Sequence, residues 1–366
     1  MSPYTIAVIG GDGIGREVIR EGVKVLEAVA GRGLALTFEE AEVGAELYRR
    51  TGEDLPRETF DLCQRTDAIL FGAAGLPDVR FPDGTEIAPQ VTLRFRLELY
   101  AGVRPIKLYP GVPSPLRLPA GRTIDYVIFR ENTEGLFASR GGGAAVGREV
   151  AADTLIVTCK GTDRIARRAF EAALGRRRRL TCVDKSNVFR SYLFFREVVR
   201  EVGTEFPEVT LDGVYVDAMA MYVVQRPWAY DVVVVENQFG DILSDLGAAT
   251  VGGLGMAPSG DIGDRWALFQ PSHGTAPDIV GKGVANPTAM ILSAALMLRW
   301  LGDRHKDPTA AAAGDRIEAA VAEVLAAGGT LTPDIGGRAS TAALGDAVAS
   351  AAGGGRTGEA RKHRPD

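Results

Sequence analysis

The chain has 366 residues, of which 46% are hydrophobic and 24% charged, with a formal net charge of -5. That length holds two α/β domains or one large one, and the composition is that of a globular chain rather than a disordered or fibrous one. The mild acidity gives no basic face for nucleic acid in the total charge, no uncharged apolar stretch reaches membrane-spanning length, and no basic segment leads the N-terminus, so neither membrane nor signal peptide is read and a cytoplasmic location is the default.

Residues 5–10 (TIAVIG) read as a buried strand. Val18, Val25 and Val29, with Ile19 and Leu26 beside them, set a helical period over 16–30. Strands at 34–40 and 67–72 continue the alternation, which predicts a parallel sheet covered on both faces. The Gly- and Pro-rich segment 73–122 reads as irregular, apart from a helix at 90–100. Strands are then expected at 124–129, 153–158, 180–183 and 212–216, and in VVVVE after Asp231. Helices are expected at 161–174, 190–202, 240–250, 287–301 and 315–327, the last an Ala-rich surface layer. The run Arg176 to Arg179 reads as a basic surface turn, and 351–366 as a frayed tail. Cys63, Cys159 and Cys182 have neither disulfide nor metal spacing and read as reduced, buried thiols.

Several residues carry chemistry. Gly10, Gly11, Asp12, Gly13 and Gly15 join a strand to a helix, but a GxGxxG register starting at Gly11 fails at Arg16. A turn close to a ligand is expected there, without a standard pyrophosphate clamp. Asp241 and Asp245 are four apart in a helix, so their carboxylates share one face. Two readings stand: a solvated first turn, or half of a Mg²⁺ or Mn²⁺ site. Asp217, at a strand end, is a candidate third ligand. Arg94, Arg104 and Arg130 lie in three separate segments and suit a di- or tricarboxylate if they converge; singly, each is a surface arginine. Lys185 follows a strand and is either a surface lysine or a base in a closed site. His273 lies in a polar, glycine-rich stretch and, with Asn286, is a candidate nucleotide contact.

Read together, the motifs GGDGIG (10–15), LYAGVRP (99–105), RENTEG (130–135), DKSN (184–187), VDAMAM (216–221), FGDILSD (239–245), HGTAPDIVGKG (273–283) and ANP (285–287) resemble the β-decarboxylating dehydrogenases. These act on isopropylmalate, isocitrate, homoisocitrate, tartrate or D-malate, and the motifs are most similar to the isopropylmalate branch. The resemblance implies a two-domain isopropylmalate/isocitrate dehydrogenase-like α/β fold, not a standard Rossmann dinucleotide fold. Residues 1–100 plus 250–345 would form a nucleotide-binding domain, and 101–249 a domain for substrate, metal and dimerisation. It also implies that Arg94, Arg104 and Arg130 bind substrate carboxylates, and that Asp217, Asp241 and Asp245 hold Mg²⁺ or Mn²⁺. Lys185 and Asp217 would be catalytic and come from the partner in a homodimer. NAD would lie against His273, Gly274, Ala276, Asp278 and Asn286, with the Asp278 carboxylate disfavouring a 2′-phosphate.

The implied reaction removes the C2 hydroxyl proton with help from Lys185 as hydride passes to NAD⁺, then loses CO₂ from the metal-stabilised keto acid. Two positions depart from the pattern. Phe137 stands where a proton-donating tyrosine is usual. In 87–94, IAPQVTLR, Gln90 and Thr92 are more polar than an isopropyl pocket requires, which turns the expectation toward a polar or small C3 substituent. A non-catalytic regulatory subunit is the reading from another class.

Overall fold

The computed structural model describes residues 3–354 apart from Arg32. β1 (Tyr4–Gly11), β2 (Leu36–Ala41) and β3 (Ala68–Ala73) alternate with α1 (Gly15–Val29), α2 (Ala45–Thr51) and α3 (Arg57–Arg65). α4 (Pro89–Arg96), β4 (Ala101–Lys107) and β5 (Asp125–Glu131) follow, then a short hairpin of β6 (Ala144–Val146) and β7 (Val150–Ala152). The middle of the chain continues through α5 (Cys159–Leu174), β8 (Arg179–Asp184), α6 (Arg190–Gly203), β9 (Thr210–Tyr215), α7 (Val216–Gln225), β10 (Val232–Val235) and α8 (Asn237–Ala249). It ends with β11 (Pro258–Ile262), β12 (Ala267–Pro271), α9 (Thr288–His305), α10 (Pro308–Ala327) and α11 (Thr341–Ala352).

Ten strands form one sheet in the order β2-β1-β3-β12-β11-β4-β5-β10-β8-β9. Each flank is parallel, whereas β12, β11, β4 and β5 run antiparallel to their neighbours across the centre. Strand alternation sends successive side chains to opposite faces. In β1, Ile6 and Val8 enter one core with α1, α9 and α10, while Ala7 and Ile9 enter another with α3. In the second half, Val127 and Phe129 pack with α5 and α6, while Tyr126 and Ile128 pack with α7 and α8. Each flank is thus a buried parallel sheet with helices on both faces, the α/β class read from the sequence.

Several expectations need correction. β4 lies inside the segment read as irregular, because Gly102 and Pro105 disguise a strand whose ladder is antiparallel. Residues 153–158 form no strand: Ile156 makes one isolated bridge to Gly135, and Thr158 caps α5 through the Gly161 amide. The strand at 212–216 gives way at Val216 to α7. α10 begins about two turns before 315, at Pro308, and is no mere surface layer, since Ile317, Val321 and Leu325 are buried against the core. Ala351 and Ala352 close α11 rather than fray; of the expected tail, 355–366 lie outside the described residues. Cys63 and Cys182 are buried, but Cys159 is exposed. Arg176 and Arg177 pair with buried Asp231, so that turn is anchored to the fold.

Candidate active site

The glycine-rich turn after β1 spends its polar groups on the protein. Asp12 is fully buried and accepts hydrogen bonds from the amides of Ala45 (2.7 Å), Glu46 (2.9 Å) and Gly75 (2.9 Å). The Asp12 amide donates to Ala73 and that of Ile14 to Thr275. Gly13 has φ +55°, and a Cβ there would lie 2.2 Å from the Thr275 carbonyl. The turn is therefore a packing joint against the 273–283 loop, not a phosphate cradle, which agrees with the broken GxGxxG register.

Beside that joint lies a cleft of about 230 Å³. Gln90 and Arg94 reach it from α4, Arg104 from β4, Arg130 from β5, Asp241 and Asp245 from α8, and His273 from the loop after β12. The three arginines therefore converge. Their positions follow from local structure: Pro89 starts α4 with a preset φ, and Arg94 falls one turn after Gln90 on the same face. Glu236 caps α8 through the Gln238 amide, which starts the helix so that Asp241 and Asp245 face the strand ends. Gly240 lets α8 approach Arg130, since a Cβ there would lie 2.7 Å from the arginine's Cγ.

The arginines are buried and individually anchored. Arg130 is 2% exposed; its Nε and Nη2 donate to Asn237 Oδ1 at 3.0 and 2.7 Å, and its Nη1 pairs with Asp241. Burial pulls its pKa down to about 10, so it remains a cation at neutral pH. Burial also lowers Arg104, which donates to Ser272 Oγ (3.0 Å). Arg94 donates through Nε to Asp261 Oδ2 at 2.8 Å. On α8, burial and repulsion from Asp241 raise the Asp245 carboxyl. A divalent cation relieves such a strained acid pair, so the oxygen donors fit Mg²⁺ or Mn²⁺. Asp217 does not complete them within the chain: among the described residues no group of three or more His, Cys, Asp or Glu is arranged for a metal. Instead Asp217, exposed in the first turn of α7, accepts from Lys185 Nζ at 2.6 Å, and this hydrogen bond holds its carboxyl below the usual range. Neither residue lines the cleft.

The expected nucleotide residues are arranged unequally. His273 Nδ1 lies 2.9 Å from the Gly274 carbonyl oxygen, its Nε2 is buried with no partner among the described residues, and burial lowers its pKa, so the ring is neutral at pH 7. Gly274 and Asp278 are exposed, and Ala276 adopts φ +39°. Asn286, by contrast, is committed internally: Nδ2 donates to Asp334 (3.0 Å), and Oδ1 accepts from the Thr288 amide (3.0 Å) at the start of α9. Gln90 Oε1 is buried in the cleft with no partner among the described residues. The Phe137 ring lies 5.1 Å from the Arg130 guanidinium. Sequence reasoning missed Asp261, Asn132, Gln270 and Ser272, which surround the arginines. A lone acid within the strand PSGDI was the available signal for the first.

Fold and cleft together define an α/β protein in which three buried arginines converge beside a pair of acids. The sequence profile of the isocitrate/isopropylmalate dehydrogenase family matches residues 5–348, and the chain belongs to that oxidoreductase family. It is 45% identical over 354 residues to the 3-isopropylmalate/3-methylmalate dehydrogenase of Methanocaldococcus jannaschii, covering 94% of this chain and 98% of that one. It is 46% identical to the isocitrate/homoisocitrate dehydrogenase of Thermus thermophilus, covering 95% and 98%. The crystal structure of isocitrate dehydrogenase from Methylococcus capsulatus superposes with a TM-score of 0.84 at 36% identity, over 95% of this chain and 99% of that one.

Proposed function

We propose that the protein is a homodimeric, NAD-dependent dehydrogenase, requiring Mg²⁺ or Mn²⁺, that oxidises and β-decarboxylates a 3-substituted malate in the cytoplasm. The observation that carries this reading is the convergence of Arg94, Arg104 and Arg130 with Asp241 and Asp245 in one cleft. With a divalent cation on the acid pair, the three buried guanidiniums would be left with Asp261 as their internal counter-ion, and a malate offers two carboxylates to meet the surplus positive charge. The acid pair supplies hard oxygens for the cation. When bound, that cation would polarise the C2 oxygen.

His273, with its buried free Nε2, and the adjoining Gly274 and Ala276 would contact the nucleotide, and the exposed Asp278 carboxylate favours a free ribose over a 2′-phosphate. Asn286 would contribute chiefly by shaping the floor, since its amide is already used. Lys185 would move the C2 hydroxyl proton and Asp217 would join the metal, each in the partner's cleft. Their absence from the lining of their own cleft supports this, as do exposed apolar residues at the start of α6 and along α7 and α8, among them Phe189 (53%), Met221 (46%) and Ile242 (60%). No described helix is long and apolar enough to cross a membrane. Separate hydrophobic cores on the two flanks of the sheet support a division into 1–100 plus 250–345 and 101–249.

The unpartnered Gln90 oxygen favours a small or polar group on C3 over isopropyl. The relatives named for 3-isopropylmalate favour the branched apolar group instead. The regulatory-subunit reading has only Phe137 for it. The deciding experiment supplies NAD⁺ and Mn²⁺ with isopropylmalate, isocitrate, homoisocitrate, D-malate and tartrate in turn, and records NADH and CO₂ together. Matched NADH and CO₂ on one acid is expected. NADH without CO₂ would make the protein a plain dehydrogenase, and neither product on any acid would end the proposal.

A further inference from the structure

Asp261 is 0% exposed, sits in the middle of the sheet on β11, and does not line the cleft. Its two carboxylate oxygens are saturated by donors from four segments. Oδ2 accepts from Arg94 Nε at 2.8 Å and Gln270 Nε2 at 3.0 Å; Oδ1 accepts from Asn132 Nδ2 at 2.8 Å and, more distantly, Arg104 Nη2 at 3.5 Å. A buried carboxylate with every lone pair engaged is locked in orientation, and so are the groups that donate to it.

The consequences fall on the arginines. Arg94 spends only Nε on Asp261, and none of its η nitrogens has a protein acceptor among the described residues, so the forked end that binds carboxylates faces the cleft. Arg94 and Arg104 are like charges held side by side, and Asp261 lies against both. Without a counter-ion they would repel and splay.

We propose that Asp261 is a positioning residue of the anion site: an internal counter-ion that holds Arg94 and Arg104 together, aims the Arg94 fork, and thereby fixes where the substrate carboxylates sit relative to the reacting carbon. This rests on the dehydrogenase reading above. Gln270 makes it testable, because its amide lies one hydrogen bond from the Asp261 carboxylate. Exchanging the two functional groups, Asp261→Asn with Gln270→Glu, removes the charge from β11 and returns it to the same cluster from β12.

The test uses the full chain and the best acid from the panel. Affinity is read by calorimetry with Mn²⁺ and no NAD⁺, and kcat is counted per folded subunit. Asp261→Asn is expected to lower kcat about 100-fold, the scale of a 1 Å misplacement of a reacting group. The dissociation constant should weaken by no more than about threefold, because the site gains net positive charge as it loses order. The double variant should recover kcat to within about tenfold of wild type, which a residue serving only to fill the core would not allow. A kcat within threefold of wild type for Asp261→Asn, or a folded double variant no better than the single one, overturns the proposal. If both fail to fold, Gln270→Glu alone decides: a second acid beside the same arginines should weaken acid binding at least about tenfold, and unchanged binding overturns the proposal. A wild-type protein that neither binds nor oxidises any acid ends the dehydrogenase reading and this inference together, whereas an active wild type with an unaffected Asp261→Asn variant ends this inference alone.

Discussion

At Phe137 the ring fills aromatic space against Arg130, but it has no hydroxyl. Decarboxylation leaves a carbanion-like carbon that must take a proton, and a positioned acid typically speeds such a transfer 10²- to 10⁴-fold. The side chains around the cleft offer few substitutes. Arg130 stays charged with its pKa near 10 and is tied to Asn237 and Asp241, which leaves it a poor donor of protons. On the dimeric reading proposed above, water or a lysine lent by the partner would then serve. Phe137→Tyr is accordingly expected to raise kcat for CO₂ release at least about tenfold, and to raise CO₂ per NADH if the wild type releases less than one. Stopped-flow NADH absorbance with a coupled CO₂ assay measures both. No change in either would mean that protonation does not limit this enzyme.

On the function proposed above, substrate choice would turn on helix α4, because Gln90, Val91 and Arg94 all reach the cleft from it. A buried acceptor left unpaired beside an apolar substituent costs about 1–3 kcal/mol, or roughly 5- to 150-fold in the specificity ratio. Gln90→Leu should therefore increase kcat/KM for 3-isopropylmalate relative to tartrate by that factor; an unchanged ratio would remove Gln90 from recognition of the C3 group. β1, β3, β5, β10 and the long helices were legible in the sequence because their apolar patterns are strong; α4, a charged stretch read as a helix over 90–100, was found but spans only Pro89–Arg96. β4 was not, since Gly102 and Pro105 interrupt its pattern and one of its two ladder neighbours, β11, is distant in sequence. α2 and α3 are short and heavily charged, so propensity alone gave no signal. The candidate site divided similarly. Charged residues inside long motifs, such as Arg130 and Asp241, were visible. Asp261 and Gln270 were not, since their importance comes from pairing across strands, which no local pattern encodes.

For the whole molecule the decisive question is which cleft Lys185 serves. Within one chain it is bound to Asp217 rather than to any cleft residue, and both are near a surface where Val188 and Phe189 expose large apolar groups. Burying that surface against a second copy would remove apolar area from water and, by two-fold symmetry, deliver the same pair to each cleft. Two inactive variants then test the arrangement. On that arrangement Lys185→Ala would damage only what a subunit lends, and Asp245→Asn only the cleft it keeps. Neither variant alone should turn over the substrate appreciably. After co-refolding or subunit exchange, half of the randomly paired dimers are mixed, and each mixed dimer holds one intact cleft. Activity should then return to about a quarter of the wild-type value. If Lys185 acted in its own chain's cleft, every cleft in the mixture would carry a defect and none would recover. Sedimentation of the mixture at the mass of a dimer, with no regained activity, would therefore refute shared active sites while leaving the dimer intact.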